Sequence, residues 1–260
     1  MSVNSVSTGV AAALVVDDRS IDLSPAFAHP RAQVGSHLFV GRQGIFTAGG
    51  AVHGYEFLYR AGRRHTLRVD RWSAEAQDRA TLRVLQATFS PAGLRSVASD
   101  ALVFVNFTRS FLGGDLPIPA DPGRLVIEVV ESVHADAAVI AGVQRLREAG
   151  YRIAIDDYVG LTSQEALLPY ACYVKVDRRD LYLRGPSLLS AARAHGATLV
   201  AERIETELEL DRCRALGFDL FQGFLLETTQ VLNRSMLPTQ RTDPRVRDAV
   251  WRPRPHPGRW

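Results

Sequence analysis

Six short apolar runs, each separated from the next by a stretch of helix length, restrict the fold of this chain more than any other feature. They are Leu102 to Val105, Leu125 to Val130, Ile153 to Ile155, Val174 to Val176, Leu199 to Ala201 and the short Leu220 to Phe221. Amphipathic patterns lie between them at Ala137 to Glu148, Ser163 to Leu168, Ser187 to His195 and Glu205 to Leu216. Strand then helix, repeated, builds a parallel sheet, because parallel neighbours need a crossover long enough to hold a helix. Ahead of this block, His37 to Phe46 and Val52 to Arg60 flank the turn residues Thr47, Ala48, Gly49 and Gly50, which predicts an antiparallel hairpin. Ser73 to Phe89 reads as a long helix with Ser73 as its N-cap.

The polar residues at the ends of these runs separate a closed barrel from an open sheet. Asn106, Glu128, Asp156, Lys175, Glu202 and Gln222 follow one another at gaps of 22, 28, 19, 27 and 20 residues, each about one β/α unit. In a β/α barrel all parallel strands open at one face, so these six groups converge on one mouth. Singly, each is an ordinary helix cap or loop residue. Together they interrupt apolar runs, and Glu128 falls inside one, where an unpaired charge costs several kcal/mol.

Lysine usage points to the same place. The chain has 30 Arg and a single Lys, Lys175, which lies within the run Tyr173 to Val176. A bias that replaces Lys by Arg elsewhere spares the one position where a compact ammonium would sit among acids. A set of Glu, Asp and Asn oxygens suits magnesium or manganese, not zinc. The adjacent Asp156 and Asp157 can serve one ion and bridge to a second, an arrangement suited to phosphodiester hydrolysis.

Composition closes off other classes. The 260 residues are 46% hydrophobic and 23% charged, enough for a sizeable core. Cys172 and Cys213 form no CxxC pattern, and the seven histidines form no HxH or HxxxH pair, which removes a disulfide framework and a thiolate or imidazole zinc site. The run Gly9 to Val16 is far shorter than the ~18 residues a membrane span needs. No Lys or Arg precedes that run, so a cytoplasmic protein without a membrane span is expected. Charge is uneven: Pro238 to Trp260 holds six Arg against two Asp, while residues 34 to 237 are formally neutral. The expected organisation is a flexible segment over 1–33, a barrel domain over 34–235 and a basic Pro/Arg-rich tail over 236–260. Solvated disorder is the preferred reading of that tail, above a nucleic-acid contact.

At this point the residues match a family. GYEFLYR over Gly54 to Arg60, VNFT with Asn106, EVVE with Glu128 and Glu131, DDYVG with Asp156 and Asp157, VKVD with Lys175, AERIE with Glu202 and Glu205, and QGF with Gln222 together resemble the EAL domain of cyclic di-GMP phosphodiesterases. The spelling is most similar to the EAL half of EAL/HDOD-type proteins. The resemblance implies a modified TIM-like (β/α)8 barrel with an antiparallel first strand, hydrolysing cyclic di-GMP to linear pGpG with two Mg2+ or Mn2+ ions per site. It implies that Glu56, Asn106, Glu128 and Asp156 hold one ion, that Asp156 and Asp157 reach the second, that Lys175 orients the attacking water and that Glu202 is the general base. Gln43, Leu58, Arg60 and Gln222 match substrate-contacting positions, Glu131 an anchor of the loop after Asp157, and Glu205 a supporting position. The family also implies a homodimer through that loop.

Three spellings depart from the family. Phe57 replaces a small residue expected to line the substrate groove, Gly44 replaces a proline after Gln43, and the loop after the paired aspartates reads Tyr158, Val159, Gly160, Leu161. They motivate a second reading, a cyclic di-GMP-binding or protein-interaction module without turnover. A third is an enolase-like magnesium enzyme, since acids at strand ends plus a lysine describe that chemistry too.

Overall fold

The computed structural model describes residues 37–60, 72–89 and 93–235. The expected N-terminal segment and the basic tail lie outside the described residues. Strand β1 (His37–Thr47) turns into β2 (Val52–Arg60) through Gly50, whose φ of +83° explains the glycine. The amide of Gly50 donates to the Thr47 carbonyl at 2.9 Å, closing the predicted hairpin.

Helix α1 (Ala74–Thr88) follows, and the Ser73 side chain accepts from the Ala76 amide as its cap. Next come α2 (Gly93–Ala98), β3 (Leu102–Phe107), α3 (Arg109–Gly113), β4 (Leu125–Val129) and α4 (Ala137–Glu148). The chain continues through β5 (Arg152–Ile155), α5 (Thr162–Glu165), a 3-10 turn (Leu168–Tyr170), β6 (Tyr173–Asp177), α6 (Arg178–Arg184) and α7 (Ser187–Arg193). It ends with β7 (Thr198–Glu202), α8 (Glu207–Ala215), β8 (Leu220–Phe221) and β9 (Gln230–Ser235). Asp136 caps α4 through the Val139 amide, and Thr206 with Glu209 forms a capping box on α8.

Strands β2 to β8 are parallel and adjacent in chain order, and β1 closes the ring by pairing antiparallel with both β2 and β8. The result is an eight-stranded barrel with its first strand reversed, as the resemblance implies. Strand β9, which carries no clear apolar pattern, adds outside the ring by pairing antiparallel with β1 from Gln230 to Ser235.

Strand alternation divides the barrel into storeys. One set of interior residues, Ile45, Phe104, Val126, Ala154, Tyr173, Val200 and Leu220, forms an apolar cluster of its own. Two residues on along β3 to β8 stand Asn106, Glu128, Asp156, Lys175, Glu202 and Gln222. On β1 and β2 the corresponding pair is Gln43 and Glu56, which face each other in register next to Ile45 and Gly54. Gly54 belongs to the floor because a Cβ there would come within 2.6 Å of the Phe104 ring. Outward-facing residues of the same strands, such as Val105, Ile127, Val174 and Leu199, join the larger cluster with Val84 and Leu85 of α1 and Val139 and Val143 of α4.

Phe57 corrects one expectation. It is 1% exposed and belongs to that outer cluster, on the face of β2 opposite Glu56 and Leu58. A strand puts neighbouring side chains on opposite faces, so the ring packs against helices and does not line the groove.

Candidate active site

The polar storey centres on Lys175. Its side chain has no exposed surface, and Nζ lies 2.9 Å from Glu128 Oε1, 2.9 Å from Asp156 Oδ1, 2.9 Å from Glu202 Oε1 and 3.5 Å from Glu56 Oε2. Four strands beside β6 thus deliver one carboxylate each to a single ammonium. Burial works against the charge on Lys175, but Asp156, Glu128, Glu202 and Glu56 outweigh it and hold the ammonium pKa well above its ordinary value.

The acids respond in the opposite sense. Burial raises Glu128 well above the usual carboxylate range; Lys175 opposes this, while Glu56 and Asp156 add to it. Glu202 is raised well above that range for the same first reason, with Asp156, Asp157 and Glu56 adding and Lys175 opposing. Asp157 is pushed up to about 6 by burial and then by Asp156, with Glu131 adding and Lys175 and Arg203 opposing. One buried cation is insufficient for this many carboxylates.

The glutamines orient the near side. Gln222 Nε2 donates to Glu56 Oε2 at 2.6 Å and to Gln43 Oε1 at 3.3 Å. Gln43 Nε2 donates to the Glu227 carbonyl at 3.1 Å, and the Glu227 carboxylate accepts from the Gly44 amide at 2.6 Å. This explains one departure from the family: proline has no N–H to give Glu227, and a Cβ at position 44 would lie 2.6 Å from its carboxylate. The pattern at Glu227 was not legible in the sequence, since the residue sits in a loop with no periodicity.

The donor set fits a hard cation. Among the described residues, Asn106 Oδ1 and Glu128 Oε2 are buried without a hydrogen-bond partner, and both are oxygens of the kind magnesium and manganese take. Carboxylate oxygens of Glu131, Asp156 and Asp157 all lie within 4.8 Å of one another, a second grouping that could hold an ion. Glu131 itself is exposed at the rim.

The remaining predicted residues fall into two groups. Leu58 and Arg60 lie further along β2, half-buried, with the Arg60 guanidinium passing over Gly41. Glu205 does not join the cluster around Lys175. It is exposed, with its carboxylate 3.9 Å from Arg178 and its amide donating to Glu209 Oε2.

Asp177, one step past Val176 on the interior face of β6, is 3% exposed and paired with Arg179 and with Arg203 Nε at 2.9 Å. These arginines hold its pKa down despite its burial. The loop after Asp157 is fastened by Gln164, a residue that the sequence pattern places only on a short helix.

Fold and site together define a β/α-barrel protein of the kind that gathers acids and a lysine at the C-terminal ends of its strands. The pattern of the EAL domain family matches residues 43–229, and the chain belongs to that family. Among curated relatives, it is 30% identical over 208 residues to the uncharacterized protein YuxH of Bacillus subtilis strain 168, covering 78% of this chain and 50% of that protein. It is also 30% identical over 199 residues to the cyclic di-GMP phosphodiesterase CdgJ of Vibrio cholerae serotype O1, covering 75% of this chain and 45% of that protein. The chain therefore spans about half the length of the curated relatives it matches. Among solved structures, the Bacillus subtilis YkuI protein, which has an EAL domain and is in complex with c-di-GMP and calcium, superposes with a TM-score of 0.56 at 23% identity. That match covers 80% of this chain and 59% of YkuI, and shows the shared fold. Among the described residues, no helix is long and apolar enough to cross a membrane.

Proposed function

We propose that this chain is a metal-dependent phosphodiesterase that hydrolyses cyclic di-GMP to linear pGpG. The observation that carries the reading is a charge imbalance. Glu56, Glu128, Asp156 and Glu202 surround one ammonium and Asp157 adjoins Asp156, which sets five carboxyl groups against the one buried cation. Divalent cations would offset the surplus of negative charge that remains when these acids are ionised. Without them the mouth repels a phosphate; with them it attracts one. CdgJ, whose name records this activity, and YkuI, complexed with c-di-GMP and calcium, support the choice of substrate.

In this reading Glu56, Asn106, Glu128 and Asp156 would hold one Mg2+ or Mn2+ ion, and Asp156 and Asp157 would hold the second. Bound there, the ions would offset charge on the phosphoryl oxygens and make a water acidic enough to react near neutral pH. The protein's own part is orientation and proton transfer. Lys175, lying 2.9 Å from Glu202, donates a hydrogen bond to the attacking water, and Glu202 accepts its proton. The water oxygen bonds to phosphorus, the bond from phosphorus to the ribose 3′ oxygen breaks, and that oxygen leaves with a proton from solvent. Gln43, Leu58, Arg60 and Gln222 line the approach, and the half-buried Arg60 can give a phosphate two parallel hydrogen bonds.

Both cysteines are free, consistent with a reducing, cytoplasmic setting. Two copies pairing through the loop after Asp157 would cover Leu161 and Leu183, which are 44% and 82% exposed.

The test is incubation with cyclic di-GMP and Mn2+, followed by chromatography for pGpG, with and without chelator. Chelator-sensitive appearance of pGpG is expected. Bound cyclic di-GMP that persists intact for hours in Mn2+ would sink the hydrolase reading.

A further inference from the structure

The loop after the paired aspartates departs from the family, and the structure shows what holds it. Gln164 projects from α5 and is 5% exposed. Its Oε1 accepts from the Val159 amide at 2.9 Å and the Leu161 amide at 3.2 Å. Its Nε2 donates to the Asp157 carbonyl at 3.0 Å, with the Asp156 carbonyl 3.5 Å away. One buried side-chain amide thereby uses both its acceptor and its donor end on the backbone of a single short loop.

The residue so held has an uncommon backbone. Asp157 has φ of +41°, a left-handed region that aspartate enters more readily than most residues but in which its surroundings must still hold it. Three restraints do so: the Asp156 amide donates to the Val129 carbonyl at 3.1 Å, the Tyr158 amide donates to the Lys175 carbonyl at 2.9 Å, and Gln164 takes the Asp157 carbonyl between them. The first two are strand-edge bonds of the barrel. Only the third comes from a side chain.

We infer that Gln164 is a positioning residue that fixes Asp157 in its left-handed conformation and so places its carboxylate beside Asp156 for the second cation. Gln164 acts through Asp157 and touches no reacting atom. The resemblance gives the role of loop anchor to Glu131, whose carboxylate lies within 4.8 Å of the Asp156 and Asp157 oxygens; in this chain Gln164 also holds the Asp157–Leu161 backbone. This inference rests on the two-cation reading for its consequence.

The test uses the full chain and counts Mn2+ ions by the electron paramagnetic resonance of free Mn2+. Two variants separate shape from hydrogen bonding. Gln164→Ala removes every contact. Gln164→Glu keeps the volume and the two bonds accepted from Val159 and Leu161, but sets a carboxylate oxygen against the Asp157 carbonyl. Circular dichroism selects the variants that remain folded, and the near-isosteric Gln164→Glu stands in if Gln164→Ala does not.

The expected result is one Mn2+ bound within about twofold of wild type and a second weakened by about 10- to 100-fold, as for other losses of outer support to metal ligands. Two wild-type affinities in either folded variant would overturn the proposal. So would loss of both ions in a folded variant, because Gln164 would then not act through Asp157. A wild-type protein that binds no Mn2+ would remove the two-cation reading itself, and one that binds two without releasing pGpG would leave the positioning role intact while removing the hydrolase.

Discussion

Lys175 Nζ lies 2.9 Å from Glu128 Oε1, and neither side chain has any exposed surface. A pair so placed gains little over an apolar pair of the same volume, but breaking it leaves a charge with nowhere to go. The Lys175–Glu128 contact is therefore best understood as a constraint imposed by the chemistry, which the fold accommodates by letting the acids keep raised pKa values.

Lys175→Met should cost about 3 to 5 kcal/mol of stability at neutral pH, the usual effect of removing one partner of a buried pair. A carboxyl whose folded pKa exceeds its unfolded value of about 4.3 destabilises the native state as pH rises between the two. Glu128 and Glu202 are shifted upward, so the deficit of the variant should shrink as pH is lowered toward 5. Urea unfolding at two pH values measures this, and a deficit that grew on acidification would contradict it.

Phe57→Ala should destabilise the barrel by about 3 to 5 kcal/mol, as large-to-small changes in a packed core do. The ring is 1% exposed on the outer face of β2, so pGpG formation per folded molecule should change less than about twofold. Thermal melting and activity measured on the same preparation separate the two effects.

Tyr158→Phe should be neutral or stabilising by up to about 1 kcal/mol. The ring is fully buried in the outer cluster, and its hydroxyl has no hydrogen-bond partner among the described residues, so deleting the oxygen removes a desolvated polar group. A loss above 1 kcal/mol on denaturant unfolding would show that the hydroxyl has a partner in solution.

Affinity for the second cation should weaken as pH falls through about 6. Asp157 is pushed up to about 6, and a ligand must shed its proton to bind a metal, so protons compete below that value. Mn2+ titrations at pH 5 and pH 7.5 should differ mainly in the weaker site, with proton release detectable by calorimetry in buffers of different ionisation enthalpy.

The sequence was most informative where period and chemistry coincided. The runs from Leu102 to Phe221 became β3 to β8 with ends shifted by at most two residues, and Asn106, Glu128, Asp156, Glu202 and Gln222 stand with Lys175 at the ends of those strands. An acid within an apolar run can only point into a place built for it, which is why Glu128 was readable.

Other features depended on contacts that no local pattern encodes. Strand β9 is a polar edge strand defined by pairing with β1, and α2, α3 and α6 are five to seven residues long, too short for a clear helical period. The motif around Glu56 does not reveal where Phe57 points, because strand alternation and not the neighbouring residue decides its face. Gln164 and Glu227 act by bonding to backbone atoms, and nothing in their own identity announces which backbone atoms those are.

The apolar storey of Ile45, Phe104, Val126, Ala154, Tyr173, Val200 and Leu220 stoppers the barrel from beneath, with Phe104 and Tyr173 edge-to-face at 5.2 Å. Among the described residues, the way to Lys175 is therefore from the opposite rim, so ions, solvent and any nucleotide would share that doorway, and a product would have to vacate it before the next guest is admitted.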